Sequence, residues 1–225
     1  MRQLRRTAWG LIAAGLAVMI GCVLAGCGAP SYVYASDSAD EAYFKVPANW
    51  HEVNPEFLAD TQESLLSKSL AGAAGGAFTW SRAYAAASSP SSISLLEASN
   101  APVVYASVQN LRDSLRSELS FDVMRDLLFP VTPSARQEAT EAGDTLTGFE
   151  LIDTSTITNK YGMRGINELY EYTIGGQPDA FDQTVLTNAA TTKLYLLLVQ
   201  CYQACFLAHE AQIEAVVRSF NVGGS

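Results

Sequence analysis

The side chains able to do chemistry in this chain are few: four cysteines, two histidines and some closely spaced carboxylates. Cys201 and Cys205 stand in "CYQAC", with three residues between them rather than the two of a thioredoxin-like dithiol. Cys201, Cys205 and His209 fall at i, i+4 and i+8, which would line one face of a continuous helix. Cys201 ends a strand-like run, however, so that alignment breaks and a metal site is not expected. His51 or His209 would need a carboxylate and a presented nucleophile for triad chemistry, and no G-x-S-x-G elbow occurs. Asp122 and Asp126, beside Arg125, read as a solvated helix face rather than an acid/base pair. Glu168 and Glu171 flank Tyr170 and Tyr172. Strand alternation puts Glu168 on the tyrosines' face and Glu171 on the other. The tyrosines read as core, with an exposed partner-binding patch as the alternative. No dinucleotide fingerprint, HExxH or phosphate loop is present, since "AGAAGG" lacks the following Lys-Ser/Thr. The expectation is no catalytic residue, no cofactor and no metal.

The other two cysteines belong to the opening segment. Arg2, Arg5 and Arg6 precede an apolar and Gly run from Ala8 to Cys27, with no carboxylate before Asp37. A basic head and an apolar run ending in small residues read as an export signal. The run is longer than a usual signal core, so a spanning anchor is the alternative. Either way the rest of the chain lies outside, because positive charge stays cytoplasmic. Leu24-Ala25-Gly26-Cys27 resembles the lipobox of bacterial lipoproteins at all four positions. The resemblance implies cleavage before Cys27 and a diacylglyceryl group on its sulfur. Met19-Ile20-Gly21-Cys22 is a poorer copy and reads as part of the apolar run. Residues 1–26 are then a signal peptide, residues 27–42 a flexible tether after lipidated Cys27, and residues 43–225 a single domain. In an oxidising compartment, Cys201 and Cys205 are expected to form a disulfide pinning a strand-to-helix turn.

The chain has 225 residues, 48% hydrophobic and 16% charged, with a net charge of −9. Without the three leader arginines, 11 basic residues face 23 acidic ones, a charge of −12. That balance excludes the basic footprint of a nucleic-acid binder and charge-driven attachment to anionic headgroups.

The elements that must position these residues follow from periodicity. "FKVPANWHEV" reads as two short extended pieces about a Pro turn. Asn54 and Pro55 open an amphipathic helix that Gly72 stops. "AFTWSRAYAAA" and "VVYASVQ" read as strands. Leu111, Leu115, Leu119, Val123 and Leu127 recur every four residues, so residues 110–130 read as one helix ended by Pro130. "FELIDTSTIT", "RGINELYEYTI", "FDQTVLT" and "KLYLLLVQC" are strand-like runs joined by short turns, which predicts an antiparallel meander. "LYLLLV" is apolar at every position and so is expected to be covered on both faces. "FLAHEAQIEAVVRSF" reads as a closing helix with Phe206, Ile213, Val216, Val217 and Phe220 on its buried side. The expected class is α+β, an α/β/α sandwich with a largely antiparallel sheet.

Phe44, Val46, Pro47 and Trp50 at one end, with Leu194–Val199 and Val216–Val222 at the other, resemble the PsbP-like family. That family includes exported actinobacterial lipoproteins of the LpqN type. The resemblance spans residues 43–222; between Gly72 and Thr147 it rests on element order alone. It implies the α/β/α sandwich and a scaffold or binding role without an active site. The expected function is a non-enzymatic surface lipoprotein, anchored by its lipid to the outer face of the cell membrane. Its expected partner is an envelope protein or a cell-wall component, not nucleic acid. A carrier of a small or lipidic ligand in an internal cavity and a hydrolase with an unrecognised site are the alternatives.

Overall fold

The computed structural model describes residues 31–56, 58–59, 62, 75–87 and 98–223. Ten strands and four helices lie among them: β1 (Tyr32–Asp37), β2 (Ala42–Pro47), β3 (His51–Glu52), β4 (Gly75–Ala85), β5 (Val103–Leu111), α1 (Asp113–Arg116), α2 (Phe121–Arg125), α3 (Pro133–Glu141), β6 (Thr147–Thr158), β7 (Arg164–Ile174), β8 (Gln177–Thr187), β9 (Lys193–Tyr202), α4 (Gln203–Val217) and β10 (Asn221–Val222). Seven strands form one sheet in the order β3-β4-β5-β9-β8-β7-β6. Every pairing in it is antiparallel, so the predicted meander β6 to β9 forms.

β9 is the centre of the molecule. Leu194, Leu196 and Leu198 join the core on one face, and Tyr195, Leu197 and Val199 the core on the other. The unbroken apolar run exists because both faces are covered. The first core takes Leu119, Met124, Leu127, Phe129 and Val131 from the α1–α2 region. The second takes Phe206, Ile213 and Val216 from α4. Val217 and Phe220 pack against that core half-buried.

Three expectations differ. The sandwich carries a second, three-stranded sheet, β1-β2-β10, which shares the core of α4. Its first strand lies in residues expected to be tether: Tyr32–Asp37 pairs with β2 along its whole length, and Ala35 is buried. The Tyr-Val-Tyr run has the residue types that favour strands, and β2 offers it a partner edge. The predicted helix over 110–130 breaks into α1 and α2, while its Leu111 end belongs to β5. Ser120 is the cause of the break. Its backbone is extended and its hydroxyl accepts from Val123 N–H at 3.1 Å, starting a new helix. Asp126 then accepts from the N–H groups of Val131 and Thr132 at 2.8 and 2.7 Å, which holds residues 127–132 as a loop. Leu111, Leu119 and Leu127 still reach the core, each from a different piece. Helix α3 falls in the polar stretch after Pro130, for which the sequence reading gives no element; Thr132 caps it and Pro133 occupies its first turn.

Asn54 is a cap as expected, accepting from Glu56 N–H at 2.8 Å. Pro55, Glu56, Leu58, Ala59 and Gln62 are helical, while the predicted stop at Gly72 lies outside the described residues. Phe44, Val46 and Trp50 are buried, and Trp50 N–H bonds Pro47 C=O at 3.0 Å to close the turn.

Candidate functional site

Cys27 and Cys22 lie outside the described residues. Cys201, at the end of β9, is bonded to Cys205 in the first turn of α4, with Cα atoms 5.9 Å apart. The bridge pins the junction at which strand turns into helix. His51 is exposed on the edge strand β3, and His209 is half-buried on α4. Among the described residues no three His, Cys, Asp or Glu side chains group as metal ligands.

The structure does bring together one of the carboxylates flanking the tyrosines, Glu168, and the α2 face. Tyr170 and Tyr172 are core, and Glu168 beside them is fully buried. Glu171 points to the other face, where its carboxylate accepts from Gln203 of α4 at 2.7 Å. Arg125 stands 3.4 Å from Glu168 and 2.8 Å from Asp122. Burial pushes Glu168 up to about 7; Arg125 opposes this, while Asp126 and Asp122 add to it. Neither Glu168 oxygen has a hydrogen-bond partner among the described residues. Gln183, also buried, donates to Met124 C=O and Arg125 C=O at 3.2 Å and accepts from Tyr170 at 3.3 Å. These groups tie α2 to the sheet. A raised carboxyl pKa is a mark of acid/base sites, but a side chain with no exposed surface cannot meet a substrate as it stands.

An open cleft of about 370 Å³ lies at one end of the sheet. Asp40 comes from the β1–β2 turn, Tyr161 and Met163 from the β6–β7 turn, Asn188 from the β8–β9 turn, and Lys193 and Tyr195 from the start of β9. Lys193 Nζ is 2.5 Å from Asp40, which also accepts from Thr79. Burial raises Asp40, but those two hydrogen bonds and the ammonium charge outweigh it and hold Asp40 below its usual range. The bond to Asp40 raises Lys193. Tyr161 is 56% exposed and offers its ring to solvent.

The backbone around the cleft is unusual. Glu41 and Thr191 are the two non-glycine residues with positive φ among the described residues, at 51° and 52°. Both sit in turns that frame it. A β-branched residue there is an outlier, and such strain concentrates at functional sites. Gly162, at φ 82°, abuts the neighbouring turn so closely that a Cβ would fall 2.9 Å from that of Ala189. In the sequence the β6–β7 and β8–β9 turns read only as connectors, and the β1–β2 turn as part of the tether. The turn residues were legible, but their convergence depends on strand order.

No family model and no curated protein sequence matches this chain. Solved structures do resemble it in shape. Cyanobacterial PsbP (CyanoP) from Synechocystis is 17% identical, with 88% of this chain and 96% of that one covered and a TM-score of 0.49. The Ran-binding protein Mog1p of Saccharomyces cerevisiae is 9% identical over 86% of this chain and 96% of its own, with a TM-score of 0.44. LpqN of Mycobacterium tuberculosis, a protein involved in cell envelope biogenesis, is 11% identical over 88% of each chain, with a TM-score of 0.43.

Proposed function

We propose that this chain is a lipid-anchored, non-catalytic binding domain on the outer face of the cell membrane. It holds an envelope protein or cell-wall component at the cleft between the turns. The leader and the Leu24–Cys27 pattern support the anchor, and the acidic balance suits an exported domain. One observation carries the binding reading. The void between the sheet and the first core layer, lined by Tyr105, Leu127 and Leu196, measures about 10 Å³, whereas the open cleft measures about 370 Å³. The former admits one water at most. A carrier of a lipidic ligand needs room inside, and this core offers none at that layer. A hydrolase needs its titratable groups within reach of solvent, while Glu168 is sealed and the histidines stand on separate elements.

Crosslinking in intact cells tests the reading. Ala190→Trp, which fills the cleft from the β8–β9 turn, and Tyr161→Ala should both lose the crosslinked species that the unaltered chain forms. Unchanged crosslinks in both would overturn the cleft as the site. Cys27→Ser should move the chain from the membrane to the soluble fraction; continued firm attachment would support a spanning helix instead.

A further inference from the structure

β6 is the terminal strand of the large sheet, 12 residues long. Ten of its residues are exposed; only Phe149 and Ile157 are half-buried. The opposite edge ends in β3, which is two residues long. Long uncovered edges recruit other strands, and proteins blunt them with bulges, lysines and prolines. β6 has its irregularities early, between Thr147 and Glu150 and between Leu151 and Asp153. From Asp153 to Thr158 the ladder with β7 is regular, and this half contains no Lys, Arg or Pro.

The direction of its free backbone groups can be read. Asn159 N–H bonds Met163 C=O at 3.1 Å. Antiparallel bonding alternates along a strand, so Ile157, Ser155 and Asp153 turn their main-chain groups toward β7. Thr154, Thr156 and Thr158 therefore turn theirs outward, and no described strand pairs with them. Four of the five residues after Asp153 are β-branched, the types that fit a pleated surface best.

We propose that Asp153–Thr158 is a strand-pairing site, and that its occupant is an extended segment of another protein bearing lysine or arginine. Added there, the segment becomes an eighth strand, held by main-chain bonds to Thr154, Thr156 and Thr158. Charge selects the occupant. Glu150 and Asp153 are exposed on the strand, and the chain as a whole is acidic. A second copy would bring the same carboxylates and the same net charge against them. The site ends at Thr158, next to Asn159 of the cleft lining, but rests on the strand edge and not on the cleft, and stands whether or not the cleft is occupied.

Amide hydrogen exchange on the full chain, purified in mild detergent, tests the proposal. The probe is a synthetic dodecapeptide of alternating lysine and valine or threonine; its control carries glutamate for lysine. The lysine peptide should slow exchange at Thr154, Thr156 and Thr158 by at least about tenfold, as new main-chain bonds require. Thr156→Pro removes one outward donor and spares the bonds to β7. It should weaken peptide binding about tenfold or more, with Ser155 and Ile157 still protected. If that variant fails to fold, Thr156→Lys keeps the donor and sets a cation against the peptide, and should weaken binding likewise. Unchanged exchange at saturation, or equal binding of the glutamate peptide, would overturn the proposal. So would slow exchange in the free chain that is lost on dilution, which would assign the edge to a second copy. The readout needs no cleft ligand, so failure here and failure of the cleft reading are told apart.

Discussion

β9 and β6 are strands of similar length, 10 and 12 residues, in the same sheet, and their surroundings are opposite. β9 is buried from Leu194 to Cys201, and both cores meet on it. β6 is exposed along ten of its residues, and only Phe149 and Ile157 reach the two cores, half-buried. The residues agree with the place: Leu-Tyr-Leu-Leu-Leu-Val in one, Asp-Thr-Ser-Thr-Ile-Thr in the other. Stability resides in the central strand, and the capacity to take on a partner resides in the strand whose groups are not used up.

The contrast can be broken first in the centre. Leu197→Ala removes a fully buried side chain and should cost about 3 kcal/mol by urea unfolding. A loss under about 1 kcal/mol would mean that β9 is not the common core.

Next is Glu168, the charged group on the buried face of β7. Its folded-state value of about 7 lies above the ordinary value of a glutamate, about 4.5. The native state therefore binds the proton more tightly than the unfolded one. The stability this contributes is complete below about pH 4.5 and is lost as pH rises through about 7. The shift amounts to about 3 kcal/mol over that window. Asp182, which burial raises to about 6, acts with the same sign. Glu168→Gln should flatten the fall in stability between pH 5 and 8 by the larger part. An unchanged slope would refute a buried, proton-binding Glu168.

The bridge at the end of β9 comes third. It closes a loop with a sequence separation of 4, so replacing both cysteines by serine should cost about 2 kcal/mol. Equal stability of the oxidised and reduced chains would show that the junction holds without it. Smallest is the edge itself: Ile152→Thr, at a residue 48% exposed, should change stability by no more than about 0.5 kcal/mol. A larger loss would reveal packing on β6 and sharpen the question of what covers it.

Much of the fold was legible in local pattern. The meander, the doubly covered β9, the closing helix and the Asn54 cap all follow from spacing and turn chemistry. The helix over 110–130 was misread because its leucines do reach one core, and a four-residue repeat cannot tell a continuous helix from short pieces delivering the same side chains. The sign of the break was Ser120, a residue as able to cap a new helix as to sit exposed in a long one. Strand β1 escaped notice because it lies inside a stretch rich in Ser, Ala and Asp, and its partner β2 is what makes it a strand.

The site was less legible than the fold. By itself the sequence determined the meander strands and their turns, the acidic charge and the leader pattern, since each depends on neighbours a few residues apart. Only the tertiary structure decided that Asp40 meets Lys193 across 153 positions, that Glu168 is sealed under α2, and that β6 is left at the edge. Those outcomes depend on strand order and on which face each element covers, and both are set by the packing of the whole chain.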